Sequence, residues 1–326
     1  QRPISAIAVN ETLDLSGYDR RYKRKMAPLD IELLIQGCSN HLPSYLGFDF
    51  AIDPWMVMTM GADGAGELWI ERQFEREMIV HLMGEMERNT RYLPHLLAQY
   101  AQVHASILAR DYSAYEDNRP LHERFESWWS MMEPLAAHYY APMLIIEALH
   151  ELLLEGMSFV DGKHAKGDLF ELGTFGIQSL YDAFESDLRQ YKKLSETDLE
   201  KLSEQYGFLK CHQPDEMGYS PQEILEIHQN LGLPAPVSDR KHFDELMKKY
   251  AHSNLFQRYL APFREWMSIR NQEMEYYMYA SNASRGLFEE IGKALEISIE
   301  AIWSLSKKEI SSGLRSARPF KGMVSR

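Results

Sequence analysis

The sequence predicts a mostly α protein: a multi-helix domain with long kinked helices and one small β-hairpin near the N-terminus. Three observations predict it. From Arg72 onward, apolar residues recur at helical spacing, as in Met78, Leu82 and Met86, or Leu93, Leu96, Leu97 and Tyr100. Two short apolar runs, residues 55–60 and 67–71, flank the turn Gly61-Ala62-Asp63-Gly64-Ala65-Gly66. Pro134 and Pro142 interrupt an amphipathic run over 121–157, and each removes a backbone donor, which predicts kinks or a break.

Taken in order, residues 1–45 read as an irregular N-terminal segment, with Pro3, Pro28 and Pro43 and little periodicity. Residues 46–326 read as a single mostly helical domain carrying the hairpin at about 55–71. The four glycines at 156, 162, 167 and 173 mark a loop. Further helices are expected near 174–193, 196–206, 221–231, 239–251, 255–281, 283–297 and 306–313. Ser195 followed by Asp198 is a capping-box signal, and Pro234-Ala235-Pro236 stops a helix.

The 326 residues hold ample apolar material for a core, with 45% hydrophobic and 25% charged residues. A net charge of -13 argues against a nucleic-acid binder, since neutralising phosphates takes clustered Lys and Arg. The one basic cluster, Arg20 to Lys25, reads as a solvated turn or tail. Two cysteines, Cys38 and Cys211, exclude a disulfide framework and point to a reducing, cytoplasmic setting. No run is long enough to span a bilayer. Because the chain begins at Gln1, it reads as a trimmed or partial protein. With 17 Met, 18 Tyr, 14 Phe and 6 Trp, the apolar residues supply either a core or a pocket that repacks around a ligand.

Metal and nucleophile signatures are weak. Glu147 and His150 form one E-x-x-H pair, and a di-iron bundle needs two. Glu77, His81 and Glu85 share a helix face and read as an exposed charged surface. No P-loop, dinucleotide fingerprint or nucleophile elbow is present. His104 lies in a helical stretch, so it lacks the free amide groups a phosphorylated histidine uses at a helix start. The segment SEQYGFLKCHQPDEMGYSPQEIL interrupts two helices with Lys210, Cys211, His212, Asp215 and Tyr219, as a metal site, an active-site loop or a plain connector would.

That segment resembles a known one. Tyr206-Gly207-Phe208-Leu209-Lys210, then Asp215 and Tyr219, is similar to the YGHLRPGTYD segment of proteins related to phosphoenolpyruvate synthase and pyruvate phosphate dikinase. Other stretches agree in order: Gly47-Phe48-Asp49, Met58-Thr59-Met60-Gly61, Glu67 to Arg72, Arg264-Glu265, Ser284 to Gly292 and Ile302 to Leu305. The resemblance covers roughly residues 40–313. It departs from the family in the loop, where Phe208 and Lys210 replace His and Arg, and Cys211-His212-Gln213-Pro214 replaces Pro-Gly-Thr-Tyr. Lysine keeps the charge of arginine but loses its bidentate fork.

The resemblance implies the central helical domain of a phosphoenolpyruvate synthase-like phosphotransferase (a kinase-like transferase). Phosphoryl transfer from ATP would run through a phosphohistidine outside this chain. It implies a small-molecule acceptor bound here, near Tyr206, Lys210, Asp215, Tyr219, Arg264, Arg270 and Arg285. No catalytic residue, metal or cofactor is expected on this chain. ATP and Mg²⁺ belong to the whole enzyme, whose ATP-grasp and phosphohistidine domains are the expected partners, with neither nucleic acid nor membrane. The alternative is a non-enzymatic helical interaction module diverged from that family.

Overall fold

The computed structural model describes residues 18–20, 27–48, 56–60, 66–108, 119–211, 217–232 and 240–316. The described residues are mostly helical with one small antiparallel sheet.

The expected strands form. β2 (Met56–Met60) pairs antiparallel with β3 (Gly66–Glu71), in the register Met56↔Ile70 to Met60↔Gly66. A strand that the sequence did not signal, β1 (Tyr18–Arg20), pairs with the other edge of β3, giving the order β1-β3-β2. Arg20, read as the start of a solvated basic tail, therefore lies in a strand.

The segment read as irregular contains α1 (Pro28–Leu46). Its prolines misled. Pro28 occupies the first turn, where no donor is needed, and Pro43 sits in the last turn. Gly47 ends the helix at φ 77°, in the left-handed region that glycine enters without strain, and its N–H donates to the Pro43 carbonyl. Leu29, Ile31, Leu33, Cys38, Leu42 and Leu46 are all buried.

Helices α2 (Arg72–Arg88) and α3 (Tyr92–Leu108) lead to α4 (Leu121–Asp161), 41 residues long. Of the kinks or break expected at Pro134 and Pro142, no break occurs, and one helix continues through both. An interior proline costs about 3 kcal/mol. Each buried large side chain contributes about 1.5–3 kcal/mol, and Trp128, Trp129, Tyr140 and Leu144 are only four of those buried here. Packing outweighs propensity.

The glycines at 156–173 do not make a loop. Helix α4 runs to Asp161, and α5 (Ala165–Thr174) follows a short turn. Gly156 instead admits the start of α10, because a Cβ there would lie 2.6 Å from Ser253 Oγ and 2.7 Å from the Leu255 Cβ. α9 (Arg240–Tyr250) packs on α5, with Lys249 Nζ held between Asp161 Oδ2 at 2.8 Å and Asp168 Oδ2 at 2.7 Å.

α10 (Asn254–Ala283) runs along α4 and completes the main core. It is followed by α11 (Arg285–Leu295), α12 (Ile299–Trp303) and α13 (Lys307–Ser316). A second, smaller apolar cluster joins α6 (Leu180–Gln190), α7 (Glu196–Tyr206) and α8 (Pro221–Asn230). Phe184, Leu188, Leu202, Tyr206 and Ile224 form it, and Met278 of α10 closes it. This satellite rests on α10. The capping box at Ser195 and Asp198 is present, and Ser179 with Asp182 caps α6 in the same way. No described helix is long and apolar enough to cross a membrane.

Where α1 meets α4, Gly37 faces the Glu133 carbonyl and Ala136, and a Cβ would collide with both. Gly37→Ala is expected to cost about 1–3 kcal/mol in urea unfolding, by forcing the two helices apart. An unchanged midpoint would show that the crossing tolerates separation.

Candidate functional site

The described part of the interrupted segment is built on local contacts. Tyr206 ends α7, and its hydroxyl donates to Asp187 Oδ2 at 2.6 Å. Burial, then Asp187, pushes its pKa up to about 12. The chain tightens into a 3-10 turn, Gly207–Lys210. Tyr219 returns beside it: its N–H donates to the Gly207 carbonyl at 3.0 Å, and Ser203 Oγ donates to its carbonyl at 2.7 Å. The Tyr219 ring stacks on Phe184 at 5.9 Å.

Lys210 pairs with Glu223 Oε1 at 2.5 Å. That contact, helped by Ser220, holds the Glu223 carboxyl down to about 2. The buried Cys211 Sγ meets Asn282 Oδ1 of α10 at 3.4 Å. Asp215 and His212 lie outside the described residues. Among the described residues, no group of His, Cys, Asp and Glu is arranged to hold a metal ion.

The remaining expected site residues are dispersed. Arg264 donates through Nη1 to the Leu172 carbonyl at 2.6 Å and through Nη2 to the Phe175 carbonyl at 2.5 Å. It thereby closes the C-terminal end of α5, with its guanidinium over the Phe243 ring. Arg285 opens α11 and pairs with Glu289 at 3.0 Å. Arg270 is an exposed residue of α10. The structure gathers Tyr206, Lys210 and Tyr219 in the satellite and leaves the three arginines elsewhere.

A cleft of about 560 Å³ opens where the satellite meets α10. Its walls are Gln178, Ser179, Leu180 and Ala183 at the start of α6, Phe208 of the 3-10 turn, and Gln272, Glu275, Tyr276 and Tyr279 of α10. Phe208 and Tyr279 meet edge to face, with centroids 5.6 Å apart and planes at 90°. Glu275, only 8% exposed, accepts the Leu180 N–H and ties α10 to the N-terminus of α6. Burial raises its pKa, the Leu180 hydrogen bond lowers it, and nearby Asp182 adds a smaller upward push. Burial, then the carboxylates of Glu273 and Glu275, raises the Tyr276 phenol, which stays a protonated donor.

Only Phe208 of this cleft lay in the segment singled out from sequence. A usable signal was present. Gln272, Glu275, Tyr276 and Tyr279 recur at i, i+3, i+4 and i+7, which places them on one helix face. Comparison of the chain with family models, curated proteins and solved structures yields no match.

A second polar feature lies inside the main bundle. His138 of α4 and Glu273 of α10 are fully buried, with Nε2 and Oε1 3.8 Å apart. The Tyr100 ring stacks on His138 at 3.7 Å, and Tyr45 meets it edge-on at 5.3 Å. Burial pushes Glu273 up to about 8, opposed in part by hydrogen bonding from Tyr100. At neutral pH this carboxyl is largely protonated, so the contact with His138 is weaker than an ion pair.

Glu273 predicts a pH dependence. Below about 4.5 the carboxyl is protonated in the folded and unfolded chain alike. Between about 4.5 and about 8, unfolding releases a proton, so stability declines as pH rises and levels off above that window. Glu273→Gln should flatten the decline, which is on the order of a few kcal/mol, in a series of urea midpoints against pH. A parallel curve for wild type and variant would assign the decline to other groups. For Arg264, replacement by Ala should cost about 1.5–3 kcal/mol, the range for hydrogen bonds to a charged donor. It should also raise hydrogen exchange at the end of α5, and loss of ligand binding without destabilisation would contradict the structural role.

Proposed function

We propose that this chain is the helical, acceptor-binding part of a phosphoenolpyruvate synthase-like phosphotransferase working in a reducing cytoplasm. In this reading the cleft between the satellite and α10 holds a small organic acceptor. The ATP-grasp and phosphohistidine parts, with ATP and Mg²⁺, lie outside this chain.

The single observation that carries the reading is the position of the Tyr206–Tyr219 connector. Its 3-10 turn delivers Phe208 into the wall of a ligand-sized cleft. Pockets of about 300–1,000 Å³, mostly apolar with a few convergent polar groups, are the usual form of a small-molecule site. The walls here match, with aromatic rings and alkyl groups beside Glu275, Ser179, Gln178 and Gln272.

The placement of the cations refines the proposal. Lys210, Arg264 and Arg285 are engaged in ion pairs or in holding carbonyls. The phosphoryl group would then be stabilised by the partner domains, and this chain would supply position. The same observation favours the second reading, a non-enzymatic helical interaction module that keeps the shape of its relatives.

A thermal-shift screen of apolar, hydroxyl-bearing compounds separates the two readings. Acceptors of the right class should raise Tm in proportion to occupancy of the cleft. Ala183→Trp fills the cleft at its α6 wall and should abolish the shift while leaving the circular dichroism spectrum unchanged. Shifts that persist in this variant, or a library that gives none, would leave the interaction module as the standing description.

A further inference from the structure

We propose that the cleft takes an organic cation, an amphipathic ammonium seated against Glu275 and the rings of Phe208, Tyr276 and Tyr279. This rests on reading the cleft as a small-molecule site and names the ligand class of that site.

The rings come first. Tyr276 and Tyr279 project from one face of α10, and Phe208 enters from the 3-10 turn. Phe208 and Tyr279 stand perpendicular, which makes a corner of aromatic surface. The face of an aromatic ring carries negative potential and attracts an ammonium group, more strongly where water is excluded. Tyr279 is 53% exposed at the mouth, and Leu180 and Tyr181 expose further apolar surface on the adjacent helix. A hydrophobic body entering the cleft therefore has surface to cover before its charge reaches Glu275.

The charge comes second. Glu275 is a carboxylate held nearly out of solvent, with one oxygen fixed by the Leu180 N–H. Asp182 lies close enough to disfavour ionisation of Glu275, so the local field is negative. A cation in the cleft offsets the desolvation that Glu275 suffers, whereas a phosphate or carboxylate meets repulsion. None of the described lining residues is Lys, Arg or His.

Size comes third. About 560 Å³ accommodates a bicyclic aromatic with a trimethylammonium group, as opposed to a bare metal ion or a small amine alone. Ser179, Gln178 and Gln272 supply neutral polar contacts that fix orientation without adding positive charge.

The test is isothermal titration of the full chain with three matched probes: (2-naphthylmethyl)trimethylammonium, 2-naphthylmethanol and 2-naphthyl phosphate. The cation should bind about tenfold more tightly than the alcohol, as a desolvated cation–π and carboxylate contact predicts, with the phosphate weakest. Glu275→Gln keeps an oxygen for the Leu180 N–H. It should remove the cation's advantage and leave the alcohol's affinity within about twofold, since neutral contacts are preserved. If the alcohol or the phosphate binds as tightly as the cation, or the cation's advantage survives Glu275→Gln, the cation assignment fails and the pocket stands. If none of the probes binds, the pocket itself is lost, and the ligand class with it.

Discussion

Helix α4 buries side chains around much of its circumference, and both α10 and α1 pack along it. Trp128, Trp129, Tyr140, Leu144, Leu149 and Leu153 leave solvent here, as do Phe256, Tyr259, Phe263 and Trp266 on α10. Every other element takes its place from this contact. The sheet leans on α1, α5 and α9 pack at the far end of α4, and α11 to α13 close the end where α4 begins. Close approach at Gly37 and Gly156 sets the separations. A helix with so little exposed surface tolerates two interior prolines, because unwinding it would expose far more apolar area than the missing hydrogen bonds cost.

The same contact carries an internal tension. His138 and Glu273 are polar groups in the middle of an apolar interface, walled by Tyr45, Tyr100 and Trp266. Removing a carboxylate from water is expensive, and the protein meets that cost by keeping Glu273 protonated over much of the physiological range. Glu273 and Glu275 are two residues apart on α10, and both lie close to Tyr276. The core pair and the cleft thus draw on side chains of the same helix turn.

The satellite of α6, α7 and α8 has its own small core and meets the bundle through Met278 and the 3-10 turn. Such a junction leaves space where two convex apolar surfaces touch. The cleft occupies that space. Its polar groups come from both sides: Ser179 and the first amides of α6 on one, Glu275 and Gln272 on the other. The connector matters less for Lys210, which is paired locally, than for the single ring of Phe208 that it places.

Local signals were legible wherever the deciding energy is local. The helical periodicity after Arg72, the paired strands around the glycine-rich turn and the Ser195 capping box all depend on neighbours within a few residues, and all were readable. Beside α1, whose prolines hid it, three features were not, because distant partners decide them. β1 exists only through pairing with β3, some fifty residues away, as Tyr18↔Glu71 records. The glycines at 156 and 173 mark close helix contacts, with Ser253 and Phe263 as the partners, though in sequence they look like loop residues. The cleft needs α6, the 3-10 turn and α10 brought together, and Gln272, Glu275, Tyr276 and Tyr279 announce only a shared face, not what that face meets. What the residues determined by themselves is the helical class, most element boundaries and the exclusions that charge imposes. Tertiary packing decided which helices continue through proline and which charges are paired, since burial and long-range contact, unlike propensity, are properties of the assembled chain.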